Sequence, residues 1–335
     1  MRVAKEEIRM RNALIVGINN YPGHELNCCV NDANEVARLL EYNEDESRNF
    51  SIIKLLDEQA TYDNILDKLT KVFNDDSDVS LFYFSGHGFD DKNDGKICTI
   101  DYQFQHYGIP FRTILEHIRE SKCKNKIIIL DCCHAGKIGN FSMIGDATIL
   151  ECGTTILTAC NTCESAIETN QHGLFTKLLI DALEGGASDI FGRITPGSIY
   201  SYIDSSLGSF DQRPLFKSHV QSFVTIRVAN SKMSFPEMRR LMELFPAETD
   251  VFQLDPSFEP TNYLGSEEIG KEDLKKPYFK EDNGKIFGLL QKAVSNGLVR
   301  PSNEKHMFYA AMHSDSCKLT AIGKHYWWLV KNKII

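Results

Sequence analysis

The sequence predicts an α/β fold: a mostly parallel sheet with helices on both faces, followed by a small, mainly helical, winged-helix-like C-terminal domain. Three observations carry that reading. Over residues 12–228 short apolar runs alternate with amphipathic stretches, the pattern of repeated β/α units. The runs are apolar at successive positions, which suits strands covered on both faces. Beyond residue 230 charge and proline content change together, which marks a second region.

Asn12 to Ile18 is the first buried strand, and Asn31-Asp32 opens a helix with Val36, Leu39 and Leu40 on one face. Phe50 to Leu56 is the second strand, and Thr61 caps a helix carrying Ile65, Leu69 and Phe73. Val79 to Phe84 and Lys126 to Leu130 are the third and fourth strands; Gly153 to Ala159 and Phe223 to Val228 supply two more. Helices are expected over Gly173–Glu184 and Pro196–Leu207. In such sheets reactive groups gather in loops at the carboxyl ends of the strands.

Residues 1–230 form the first predicted domain. Five of the ten prolines, Pro236, Pro246, Pro256, Pro260 and Pro277, fall within 231–283, which is read as a linker region. Residues 284–335 form the small domain, with helices over Lys285–Val294, Glu304–Met312 and Ile322–Val330 and a short strand at Leu298-Val299. Residues 1–230 hold 22 basic and 32 acidic side chains, whereas 231–335 hold 15 and 14. Within the latter, residues 285–335 carry 8 basic and 2 acidic groups. Two electrostatically distinct regions suggest two jobs.

Composition excludes several classes. Hydrophobic residues make up 42% and charged residues 25%, a globular balance rather than a disordered or fibrous one. No apolar run reaches the ~18 residues a membrane-spanning helix needs, and the charged start Met1-Arg2-Val3-Ala4-Lys5-Glu6-Glu7 lacks a secretory core. The expectation is a cytoplasmic protein whose ten cysteines are thiols. A net charge of −9 argues against a surface built as a whole to hold nucleic acid.

Two strand ends carry chemistry. The third strand empties into Ser85-Gly86-His87-Gly88 and the fourth into Asp131-Cys132-Cys133-His134-Ala135-Gly136. A cysteine nucleophile needs a base and convergent N–H donors for the developing oxyanion, and small glycines leave room for a substrate backbone. Taken singly, His87 is equally a turn residue and Cys133 a buried thiol. Taken together, two such motifs at strand ends, with the spacing of a known class, favour catalysis.

The chain resembles caspase-like cysteine peptidases, in particular the metacaspase and prokaryotic caspase-homologue branch. His87 precedes Cys133 by 46 residues, close to the ~50 typical of caspases. Asp131-Cys132-Cys133-His134-Ala135-Gly136 resembles the metacaspase Asp-x-Cys-His-x-Gly, and Leu26-Asn27-Cys28-Cys29-Val30-Asn31-Asp32-Ala33 the metacaspase segment after the first strand. The match spans roughly residues 12–228. It implies a caspase-haemoglobinase-like sheet, with His87 and Cys133 as catalytic dyad and the backbone N–H groups of Gly88 and Cys133 as oxyanion hole. The family pattern selects Cys133, immediately before His134, as nucleophile. Strand alternation turns Cys132 away from it.

The same resemblance places Cys29, Asp32, Ser85 and Asp131 in the substrate-binding pocket, where carboxylates select Arg or Lys before the scissile bond. Asp32 could equally be a helix N-cap. Other signals are weaker. Asp90-Asp91-Lys92-Asn93-Asp94-Gly95 is a poor calcium loop, since Lys92 occupies a ligand position; no cofactor is required, although some metacaspases need calcium. Cys160-Asn161-Thr162-Cys163 lacks a partner pair for zinc, and Gly265 to Lys271 lacks the Ser or Thr of a phosphate loop.

The functional expectation is therefore an endopeptidase acting on protein substrates after Arg or Lys. It would be latent until a signal reaches the C-terminal region, as in a defence- or stress-triggered protease. The first strand begins near Asn12, so no long N-terminal pro-segment is expected and restraint falls to the C-terminal region. Tyr326, Trp327 and Trp328 with nearby lysines suit a nucleotide-type signal or an activating protein, with nucleic acid less favoured; equally, the aromatics form a core. The competing readings are an inert caspase-like scaffold and a DNA-binding regulator that uses the basic C-terminal region.

Overall fold

The computed structural model describes residues 10–74, 77–90, 95–102, 108–132, 150–159, 172–208, 214–268, 270 and 272–335. Cys133, the motif that follows it, residues 91–94 of the acidic turn, and Cys160 and Cys163 lie outside the described residues. So do residues 269 and 271 of the Gly265–Lys271 segment. The chain divides into two compact units, Met1–Asn230 and Ser231–Ile335.

The first unit runs β1 (Arg11–Gly17), α1 (Cys29–Glu41), β2 (Ser51–Leu56), α2 (Tyr62–Asn74), β3 (Val79–Ser85), β4 (Gly88–Asp90), β5 (Gly95–Ile97), β6 (Ile109–Pro110), α3 (Phe111–Arg119), β7 (Asn125–Asp131), β8 (Thr154–Thr158), α4 (Leu174–Asp181), β9 (Arg193–Ile194), α5 (Pro196–Ser206), β10 (Leu215–His219) and β11 (Arg227–Val228). Its main sheet has the order β10-β8-β7-β3-β1-β2. All pairings are parallel except that of the edge strand β10 with β8. Val79 to Ser85 are all buried, as a central strand covered on both faces must be.

Alternation along the strands divides the core in two. Ala13, Ile15, Leu81, Tyr83, Ile127 and Ile129 face α1, α4 and α5. Leu14, Val16, Phe82, Phe84, Ile128 and Leu130 face α2 and α3. Each large apolar side chain so enclosed contributes about 1.5–3 kcal/mol.

The sixth strand is Leu215–His219 rather than Phe223–Val228. Val224 and Ile226 are apolar because they pack on the α1, α4 and α5 layer. The Ile226 carbonyl accepts from the Asn49 side-chain amide at 2.9 Å instead of extending the main ladder, and among the described residues Arg227–Val228 forms a ladder with β9 rather than with the main sheet. The helix near Asp32 also begins earlier than expected, at Cys29, so Asp32 is not its N-cap.

The second unit runs α6 (Phe235–Glu243), β12 (Val251–Gln253), α7 (Glu281–Ser295), β13 (Val299–Pro301), α8 (Met307–Met312), β14 (Ser316–Leu319) and α9 (Ala321–Lys331). Residues 231–283, expected as a linker, belong to this unit. A capping box at Ser234 and Glu237 starts α6, and β12 pairs antiparallel with β14. Asn262 is fully buried, and its side-chain amide reaches the carbonyls of Pro256 and Lys275 at 2.9 and 2.7 Å. The prolines thus punctuate a folded segment. The unit holds a three-stranded sheet of order β12-β14-β13. Because α8 separates β13 from β14, these two strands do not form the hairpin wing of a winged helix. Trp327 donates its indole N–H to the Phe245 carbonyl at 2.7 Å, a structural role, whereas Trp328 is half exposed.

Candidate active site

Three central strands end side by side: Gly17 of β1 pairs with Ser85 of β3, and Ser85 with Asp131 of β7. At Gly17 a side chain would collide with the Cys29 carbonyl and Ala33. The first turn of α1 therefore packs directly on the strand end and brings Asp32 to the rim. At Gly86 a side chain would strike the Tyr21 hydroxyl and the Phe84 ring, so the turn between Ser85 and His87 requires glycine.

Asp32 and Asp131 form an enclosed acidic pair. Asp32 is 1% exposed, and the Ser85 hydroxyl lies 3.4 Å from its Oδ2. A Cβ on Gly173 would stand 3.4 Å from Asp131 Oδ2 and 3.7 Å from Asp32 Oδ2, so both carboxylates converge on the start of α4. No side chain of the Gly173 cap satisfies that helix end. The two carboxylates stand there instead, and the backbone of Gly173 and Thr176 helps hold down the pKa of Asp32 and Asp131 respectively, as expected of negative charge at the end of a helix whose dipole favours it.

Asp131 also accepts from the Thr176 hydroxyl at 2.6 Å, and Thr176 is 2.7 Å from the Tyr83 hydroxyl. With the Thr176 proton given to the carboxylate, Tyr83 donates to Thr176, a buried relay that fixes the carboxylate. Burial, against the opposing Thr176 hydrogen bond and with the Asp32 charge adding to it, pushes Asp131 up to about 6. Burial raises Asp32 as well, countered chiefly by the hydrogen bond from His172. Burial pushes the Cys29 thiol far up, and the two carboxylates add to that shift. Cys29 is therefore a neutral thiol beside the pair, not a nucleophile. Two carboxylates kept in a site that disfavours their charge make this rim the candidate site.

His87 stands at a second feature of the same rim. Its Nε2 is 2.8 Å from the His24 carbonyl. A carbonyl only accepts, so Nε2 carries the proton and Nδ1 of the neutral ring is the basic atom. The His87 N–H donates to the Tyr21 hydroxyl at 3.2 Å, and that hydroxyl donates to the Cys98 carbonyl at 3.0 Å. Around the imidazole lies an open cleft of about 370 Å³, bounded by Tyr21, His24, Gly88, Phe89, Cys98 and Tyr102.

Of the residues singled out by sequence, Cys29, Asp32, Ser85 and Asp131 come together at the rim. His87 lies two residues beyond Ser85, and Gly88 opens β4 opposite Ile97. Cys132 is 5% exposed and packs in the α2–α3 layer with Leu130 and Ile97. Tyr21, His24, Tyr83, His172 and Thr176 carried no readable motif. The one local hint was His172-Gly173 at the head of a predicted helix.

Residues 10–224 match the family model described as the caspase domain. Among solved structures, the crystal structure of a Geobacter sulfurreducens protein is similar at 17% identity, covering 66% of this chain and 100% of that one with a TM-score of 0.49. No curated protein matches the chain.

Proposed function

The chain belongs to the caspase domain family and so carries a cysteine peptidase domain, from which we propose an endopeptidase that cleaves proteins after Arg or Lys through a His87–Cys133 dyad. The observation that carries the specificity is the enclosed pair Asp32 and Asp131. A guanidinium or ammonium entering this site would recover the cost of burying two carboxylates through charge-assisted hydrogen bonds.

His87 would act first as base. With Nε2–H given to the His24 carbonyl, Nδ1 takes the Cys133 thiol proton. The thiolate attacks the scissile carbonyl carbon, and the C–N bond breaks as Nδ1 returns that proton to the leaving amine. Water, activated by the same nitrogen, then hydrolyses the thioester and frees Cys133. The N–H groups of Gly88 and Cys133 would hold the oxyanion. The second unit, with its own core and its basic C-terminal part, would hold the peptidase latent until a nucleotide-type signal or an activating protein binds. Such a ligand must prefer the active state to shift the population.

The test is a positional peptide library incubated with wild type, Cys133→Ala and Asp32→Ala protein, with and without cell extract. Cleavage after Arg or Lys should vanish in Cys133→Ala. It should fall about 10- to 100-fold in Asp32→Ala, the equivalent of losing a charged hydrogen bond. Preference for Asp, or indifference to charge at that position, overturns the acidic pocket. No cleavage under any addition favours the inert scaffold.

A further inference from the structure

The acidic pair already holds a resident ligand. His172 Nδ1 lies 2.6 Å from Asp32 Oδ1, and since a carboxylate oxygen accepts, Nδ1 donates. The partners differ in exposure. Asp32 is rooted in the first turn of α1 and its side chain is 2% exposed, whereas the His172 side chain is 18% exposed. His172 lies outside α4, one residue before its N-cap Gly173. The side-chain amide of Asn31, itself exposed, lies 3.4 Å from Nε2, which places the ring at the mouth of the pocket.

Occupancy has a consequence for ligand chemistry. A guanidinium grips a carboxylate with two parallel N–H donors and needs both oxygens. Each oxygen of Asp32 already has one donor, His172 on Oδ1 and the Ser85 hydroxyl on Oδ2, so an arriving guanidinium would have to share Oδ1 with the imidazole. On Asp131, Oδ2 is already engaged by Thr176. A lysine ammonium is a point charge that can settle against one oxygen of each carboxylate. A two-pronged arginine grip on Asp32 must compete with His172 for Oδ1, which a single-point ammonium need not do.

We infer that His172 is a specificity-determining residue that competes with the substrate's basic side chain for Asp32 and penalises arginine more than lysine. The inference rests on the peptidase reading for its substrate but not for its binding chemistry, and the test separates the two. In the full-length chain, KM and kcat are measured for matched Arg-site and Lys-site peptides in wild type, His172→Ala and His172→Lys. Calorimetry with agmatine, a free alkylguanidinium, on the Cys133→Ala background reads the pocket without cleavage.

His172→Ala should lower KM for the Arg peptide and tighten agmatine by about fivefold, the scale of one hydrogen bond. The Lys peptide should change less than twofold and kcat should hold. His172→Lys, which places a fixed cation on Asp32, should weaken both peptides and agmatine. A histidine that merely supported the fold would loosen binding in both variants. Loss of affinity in His172→Ala, or no change in the Arg-to-Lys ratio where cleavage occurs, overturns the inference. If wild type cleaves neither peptide, the peptidase reading fails, while the change in agmatine affinity still decides the role of His172. Agmatine that binds none of the proteins overturns it as well.

Discussion

Tyr21 and His87 are joined twice: the His87 N–H donates to the Tyr21 hydroxyl at 3.2 Å, and the two rings lie 4.8 Å apart. Tyr21 is fully buried, and burial holds its phenol well above its ordinary pKa, so it remains a neutral donor to Cys98. The phenol thus fixes both the backbone and the plane of the imidazole, while the His24 carbonyl fixes its tautomer. Tyr21→Phe removes one acceptor and one donor in a buried place, which costs about 1–3 kcal/mol. The expected outcome is a lower Tm and about a tenfold fall in kcat with KM little changed, read by thermal unfolding and steady-state kinetics. An unchanged kcat would show that His87 needs no such support.

The adjacent cysteines should separate cleanly. Cys132 is 5% exposed in an apolar layer, so Cys132→Ala should cost about 1–2 kcal/mol of stability through lost packing and keep most of the activity. Cys133→Ala and His87→Ala should lose cleavage and keep the fold by circular dichroism. A thiol-labelling time course adds a second readout: His87→Ala should slow alkylation of Cys133. Inactivity confined to Cys132→Ala would transfer the nucleophile's role.

Asp131 gives a pH dependence with a definite sign. Its carboxyl sits at about 6 in the fold, above the ~3.9 of an unfolded chain. Between those values the folded state holds the proton more often than the unfolded state. Its contribution to stability is therefore fully present below about pH 4, declines as pH rises, and is gone above about 6. Asp131→Asn, which still accepts from Thr176, should raise stability at pH 7.5 by up to about 3 kcal/mol and add nothing at pH 3.5. Urea unfolding at both values measures it. An equal effect at the two values would mean that burial does not disfavour the ionised carboxylate.

Removal of residues 231–335 tests the proposed latency. Both units have their own cores, so residues 1–230 should fold alone. Their cleavage of an Arg-site peptide should exceed that of full-length protein by about tenfold or more, the scale of an ordinary coupling energy. Nucleotides or cell extract should raise only the full-length activity. Equal rates under every addition would leave the second unit without a regulatory role.

The five parallel strands of the main sheet could be read from the residues alone, as could the places where β3 and β7 end, because a doubly covered strand must be apolar at successive residues and its end must break that pattern. Ser85, His87 and Asp131 stand where that break occurs, whereas Cys133 lies outside the described residues. The edge strand Leu215–His219 could not be read in this way: its residues are half-buried or exposed, so an antiparallel edge leaves no continuous apolar run, while the more apolar stretch near Ile226 owes its character to helix packing. Residues 231–283 misled in the same way, because prolines mark turns inside a folded unit as readily as a linker. The furnishing of the site comes from long-range packing. The bond between His172 and Asp32 spans 140 positions, that between Thr176 and Asp131 45, and that between Tyr21 and His87 66. No periodicity or local spacing encodes such pairs, since each exists only once the sheet order has brought distant loops to one rim.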